Sequence, residues 1–281
     1  MSGVEYNLRP VWDAILGVFA EFERVCGKHG LRYVVAYGTT LGAIRHKGFI
    51  PWDDDFDVFM PRPDYQKFLE IAPSELPSHL KVGNRDLVPG MEHYFSKLMV
   101  SDRDLVEQVE KKCGYVCGMG IFIDIFPLDG FPRGVVGHYF QWFRSRMLYA
   151  RQVYLSNRGW QGSLQHKVAN VLGAIAGLLF PRWKTAGGFT SLHDQLADSF
   201  SFDSCGYCVD LGIFPAYRLK RMPIYWFTDT IEVPFESVKV RVPRDYDGYL
   251  TQEFGDYMQL PPVERRRISH GGGKVYPWRF G

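Results

Sequence analysis

Residues 37–60, YGTTLGAIRHKGFIPWDDDFDVFM, decide how the chain is read. The stretch reads as the end of a strand, a Gly-Thr turn, a short helix, a loop, and a second strand with alternate carboxylates. Side chains on a strand point to opposite faces in turn. Asp55 and Asp57 therefore share a face, and Asp53 has the same parity and joins them if the strand begins early. Carboxylates set side by side resist ionising together unless a cation neutralises them. The spacing thus predicts a hard divalent ion, Mg2+ or Mn2+, bound through oxygen. A calcium loop starting at Asp53 fails, because its sixth position is Val58 rather than glycine and its twelfth is Asp64 rather than glutamate.

Upstream, Leu31–Tyr37 is an apolar strand, and Gly38-Thr39 opens the helix that follows. Backbone N–H groups at a helix start face whatever binds there, which makes a phosphate seat. Arg45, His46 and Lys47 come next. A planar guanidinium matches a diphosphate bidentately, so Arg45 is the favoured phosphate ligand, with His46 a donor to a carboxylate.

A third carboxylate comes from farther along. In Gly120–Ile125, Ile121, Ile123 and Ile125 share one face, while Asp124 lies between Phe122 and Phe126 on the other. A lone aspartate among apolar neighbours is costly unless paired or metal-bound, so Asp124 is placed with Asp55 and Asp57. Asp129, just before Gly130, reads as a turn aspartate. Lys97 sits in the alternating strand Tyr94–Met99, where a cation has no packing reason to be; it is read either at the carboxylates or a substrate phosphate, or equally as an exposed surface lysine.

The flanking pattern supplies a scaffold. Trp12, Ile15, Phe19, Phe22 and Cys26 recur at three- and four-residue steps through Pro10–Lys28, an amphipathic helix stopped by Gly30. Another helix follows Pro61 as far as Ala72, and Pro73 and Pro77 mark a loop. Short strands are predicted at 80–82, 94–99, 104–109 and 120–125, and helices at 138–157 and 168–180. A hairpin at 231–235 and 238–242 carries Lys239 and Arg241 on one side. A helix at 245–254 ends at Gly255, and a basic tail runs through Arg265, Arg266, Arg267 and His270.

Composition narrows the function. With 46% hydrophobic and 23% charged residues in 281, the chain has ample material for a core. A net charge of +2 argues against a dedicated nucleic-acid binder. Five cysteines without a secretory leader fit a reducing cytoplasm better than a disulfide framework. Cys113, Cys117, Cys205 and Cys208 have spacings compatible with a zinc site, set against ordinary buried thiols. Val168–Phe180 is almost wholly apolar, but as a helix it spans only about 20 Å, short of the roughly 30 Å hydrocarbon core. It is read as a buried helix, with peripheral membrane contact through 168–184 as the alternative, helped by Lys167, Arg182, Trp183 and Lys184.

Taken together, Gly38-Thr39-x-Leu41-Gly42-Ala43-x-Arg45-His46-x-Gly48-Phe49-Ile50-Pro51-Trp52-Asp53-Asp54-Asp55-x-Asp57 resembles the signature of the LicD family, related to the fukutin-type transferases. Phe122–Gly130, Tyr246-Asp247-x-Tyr249-Leu250 and Gly255–Pro262 agree with it. The resemblance implies an α+β fold: a polymerase-beta-type nucleotidyltransferase core, a mixed sheet flanked by helices, over 1–132; a helical insertion over 133–201; and a C-terminal hairpin and helix region over 202–281 completing the same unit. It implies that Asp55, Asp57 and Asp124 hold metal and do the chemistry. It also implies that the basic end, with Arg266, Arg267 and His270, meets the substrate. The implied reaction moves phosphocholine, or a similar head group, from a CDP-linked donor such as CDP-choline to a sugar hydroxyl of a cell-surface glycan, lipid-linked in some cases. The place implied is the cytoplasm or the inner face of the membrane. Three alternatives stand beside it: nucleotidyl transfer to a small acceptor, a regulatory protein without turnover, and an Asp-x-Asp glycosyltransferase, which leaves Gly38-Thr39 unexplained.

Overall fold

A computed structural model describes residues 7–84, 87–88, 91, 95–132, 164–179, 200–211 and 220–268, with scattered positions between 134 and 154. The chain forms two compact units, Met1–Pro127 with Tyr225–Gly281, and Leu128–Ile224. The class is α+β, with helices flanking a mixed sheet.

In the first unit, α1 (Arg9–His29) ends where Gly30 turns left-handed at φ 64, a conformation that costs glycine nothing. Its periodic residues Val11, Ile15, Phe19, Phe22 and Cys26 are buried. The Phe19 and Phe22 rings meet Tyr33, Phe56 and Phe68 at centroid distances of 4.7–6.1 Å. Each fully buried phenylalanine contributes about 1.5–3 kcal/mol, so α1 fastens the backs of the strands that carry the site.

Those strands are β1 (Val34–Val35), β2 (Asp57–Pro61), β3 (Leu80–Gly83), β4 (Ser96–Val100) and β5 (Phe122–Phe131), in the order β1-β2-β5-β4-β3. The pairs β1–β2, β3–β4 and β4–β5 are antiparallel. Helix α2 (Tyr37–Arg45) follows β1 directly, and α3 (Arg62–Glu75) follows β2. A separate hairpin, β8 (Thr230–Phe235) and β9 (Val238–Pro243), buries Phe235, Val240 and Val242 in the same core. It is preceded by a single helical turn, α6 (Tyr225–Thr228), and followed by α7 (Tyr246–Phe254), which stops at Gly255 with φ 71.

Several expectations change. The predicted strand at 104–109 is a helix, α4 (Arg103–Cys113): the Asp102 side chain accepts from the N–H groups of Asp104 and Leu105, and Val106 and Cys113 bury one face. The apolar strand at 31–37 shrinks to Val34–Val35, and Tyr37 already belongs to α2. Pro73 lies inside the last turn of α3 rather than in a loop. β2 begins only at Asp57, so Asp53 and Asp55 sit on the approach to the strand and not on it.

In the second unit, β5 continues past Pro127, and Leu128–Phe131 pairs antiparallel with β6 (Tyr207–Asp210), which pairs with β7 (Met222–Pro223). Asp129 is therefore no turn residue. It lies opposite Val209, fully buried. Helix α5 (Leu164–Leu179) covers the predicted apolar segment. Residues 180–184 and most of 138–157 lie outside the described residues. The five cysteines are free thiols; Cys113 donates to the carbonyls of Glu110 and Tyr115.

Candidate active site

The site begins with backbone. The N–H of Ala36 donates to the carbonyl of Asp57, and the N–H of Asp57 donates to Thr39 Oγ1 at 2.8 Å. Thr39 thereby ties the start of α2 to the first residue of β2, and the neighbouring Thr40 hydroxyl donates to Val35 O. Tyr37, at the head of the helix, has a positive φ of 41°, and its N–H donates to the hydroxyl of the buried Tyr249 at 2.8 Å. A positive φ at a tyrosine is strained backbone, held here by its surroundings. The next two N–H groups, of Gly38 and Thr39, have no hydrogen-bond partner among the described residues. They are the open donors of the predicted phosphate seat.

Against this turn lies Asp53. A Cβ on Gly38 would stand 2.8 Å from its Oδ2, so only glycine leaves the carboxylate where it is. Trp12 Nε1 donates to the Asp53 carbonyl, which fixes the loop. Burial first, then Asp55, pushes the Asp53 carboxyl up to about 9. Asp57 is likewise pushed well above the usual carboxylate range, by burial and then by Asp55, Asp124 and Asp53, while Lys97 acts in the opposite sense. The structure therefore brings Asp57 within electrostatic reach of Asp53, Asp55 and Asp124. Asp54 points elsewhere and accepts from Tyr115 Oη at 2.5 Å.

Lys97 is only 1% exposed and lies directly opposite Asp124 across the β4–β5 ladder, Nζ to Oδ1 2.5 Å. Lys97 thus meets Asp124, the carboxylate that the sequence reading placed with Asp55 and Asp57, and not open solvent. Asp124 also receives placement from its own N–H, which donates to Phe56 O.

A second charged group lies at the far end of α2. Arg45 Nη1 donates to Tyr257 O at 2.7 Å and Nε to His46 Nε2 at 3.0 Å. Arg266 lies 5.3 Å from the centroid of Trp52 and donates through Nε to Pro261 O. Burial and then Arg266 lower Arg45, and burial and then Arg45 lower His46. Two guanidinium groups and an imidazole that burden one another in this way are suited to an anion. Arg267 is exposed, and His270 lies outside the described residues.

Among the described residues no three His, Cys, Asp or Glu side chains are grouped closely enough to hold a metal ion as they stand. The chemistry of the donor set still suits a hard divalent cation: it is all oxygen, half of it buried, and electrostatically overloaded at Asp57. Tyr37, Trp12 and Tyr249 were not foreseen as parts of the site; nothing in the local sequence marks a tyrosine 212 positions away as the acceptor for a turn N–H.

Residues 30–144 match the family described as LicD/FKTN/FKRP, nucleotidyltransferase domain. Over that span the chain is similar to the LicD family. Every residue of the carboxylate group falls inside that LicD domain. The chain is also 29% identical over 266 residues to the lipopolysaccharide cholinephosphotransferase LicD of Haemophilus influenzae, covering 94% of this chain and 96% of that one. Two uncharacterised proteins, of Rickettsia typhi and Rickettsia prowazekii, are 44% and 41% identical over 46 residues, 16% of this chain and 15% and 17% of theirs.

Proposed function

We propose that this chain transfers phosphocholine, or a closely similar phospho-head group, from a CDP-linked donor to a sugar hydroxyl of a cell-surface glycan, on a polymerase-beta-type nucleotidyltransferase core. The observation that carries the reading is the group of half-buried Asp53 and Asp55 and buried Asp57 and Asp124 beside the two open N–H groups of Gly38 and Thr39. One half of that arrangement calls for cations and the other for phosphate oxygens. The name of the H. influenzae relative supports phosphocholine as cargo and lipopolysaccharide as acceptor.

In this reading the N–H groups of Gly38 and Thr39 hold phosphate oxygens of the donor. Asp53, Asp55 and Asp57 would hold Mg2+ or Mn2+, which supplies neutralisation of charge building on the diphosphate. Asp124, fixed on β5, accepts the hydrogen bond of the acceptor hydroxyl and takes its proton as the new phosphorus–oxygen bond forms. The bond from phosphorus to the CMP oxygen breaks, and CMP leaves with the electron pair. Arg45, His46 and Arg266 offer a second anion site for the remainder of the donor.

In the second unit, α5 presents Val168, Val171, Leu172, Ile175 and Leu178 outward. No helix among the described residues is long and apolar enough to cross a membrane. The reading takes this face as a peripheral contact with the membrane that carries a lipid-linked acceptor.

The test is product analysis. Wild-type protein with Mg2+, CDP-choline and an acceptor glycan is expected to release CMP and add one phosphocholine mass to the glycan, and Asp57→Asn with its fold intact is expected to do neither. Release of pyrophosphate from a nucleoside triphosphate, with no use of CDP-choline, would replace this reading with nucleotidyl transfer.

A further inference from the structure

Lys97 is almost completely covered. It is 1% exposed, Asp124 6%, and the flanking Ser96 is buried and bonded to Tyr65 Oη at 2.7 Å. Its ammonium rests 3.5 Å from the centroid of Phe122 and 5.4 Å from that of Phe95, so rings cover the sides that the carboxylate does not. The pairing is set by backbone register, Lys97 opposite Asp124, and not by a mobile side chain finding a partner. A buried ammonium so close to one carboxylate repels any further cation brought to that same carboxylate.

We infer that Lys97 is a built-in cation standing where a second metal ion would otherwise sit, so that the protein takes a single divalent ion, on the Asp53, Asp55 and Asp57 side. This rests on the metal-dependent reading given above and deepens it: Lys97 is a positioning residue that reserves Asp124 for the acceptor hydroxyl. A positive charge is supplied at Asp124 by the chain itself, and the remaining three carboxylates share the exchangeable ion.

The test is a count of tightly bound Mn2+ by electron paramagnetic resonance on full-length protein without nucleotide, with circular dichroism as the check on folding. Only ions whose binding is lost in Asp57→Asn or Asp124→Asn are counted as belonging to the site. Wild type is expected to bind one per chain, Lys97→Met two, and Lys97→Met/Asp124→Asn one again. Lys97→Arg keeps the charge and is expected to stay at one. Two ions in wild type, or one in folded Lys97→Met, overturns the inference while leaving the metal site standing. Lys97→Gln, which also removes the charge and keeps Asp124, is made alongside and is expected to bind two; one ion in it overturns the inference. No Mn2+ in wild type overturns the metal reading itself, and this inference with it.

Discussion

The carboxylate group makes the metal-free protein lose stability as pH rises, which is opposite to the usual behaviour of native carboxylates. Asp53 moves from 3.8 to about 9 on folding, so the folded chain keeps a proton that the unfolded chain gives up. A raised folded value means that the contribution is fully present below the unfolded pKa and is lost as pH rises through the folded one. Between pH 5 and 7 the loss runs at about 1.4 kcal/mol per pH unit for one such group. Asp53 is partly exposed, and discounting for solvent leaves about 2 kcal/mol over that interval. For a chain of this size that is a fall in Tm of roughly 4–8 °C. Asp57 acts in the same direction. His46, lowered on folding, acts in the opposite one, adding stability as pH rises from its folded value up to its unfolded value, above which the contribution is complete. Thermal melts in a chelator at pH 5, 6 and 7, for wild type and Asp53→Asn, isolate the Asp53 share: wild type falls more steeply than the variant. On the proposed metal reading, saturating Mn2+ is expected to pull the carboxylates down and flatten the slope. A wild-type Tm that holds steady or rises across the interval relative to Asp53→Asn would refute the reasoning.

Other perturbations follow from single bonds. Thr39→Val removes the acceptor of the Asp57 N–H and leaves a buried donor without its partner, so urea unfolding should show a loss of about 1–3 kcal/mol, largely recovered in Thr39→Ser. Gly38→Ala places a methyl 2.8 Å from Asp53 Oδ2; Mn2+ affinity should drop at least tenfold while the far-UV circular dichroism is unchanged. Tyr249→Phe deprives the Tyr37 N–H of its acceptor, with an expected cost of about 1–3 kcal/mol in the same unfolding assay and faster exchange of the Tyr37 amide.

Much of the scaffold was legible because it obeys local periodicity. The 3.6-residue spacing of Trp12, Ile15, Phe19 and Phe22 with Gly30 beyond gave α1, and alternation gave the β8–β9 hairpin with Arg241 turned over the Tyr33 ring. Asp124 stood out as the single acid in an apolar strand, and the structure puts it within electrostatic reach of Asp57. The reading failed where short-range pattern is ambiguous. Residues 104–109 carry too few apolar positions to separate a strand from a helix, and the Asp102 cap settles it. Asp129 looked like a turn because Gly130 follows, yet a Cβ at Gly130 would run into the carbonyl of Phe200: the glycine is there for a close chain approach inside the unit.

By itself, the order of residues determined which side chains are available for chemistry: Gly-Thr at the head of a helix, acids at alternate positions and one more in a distant apolar strand. What it left open was which charge meets which. That Lys97 faces Asp124, that Thr39 accepts from Asp57 and that Tyr249 closes the turn at Tyr37 are outcomes of strand register and of packing between segments far apart in the chain. Local propensity acts over a few residues, whereas an electrostatic partner is chosen by distance in space, and only the folded core sets that distance.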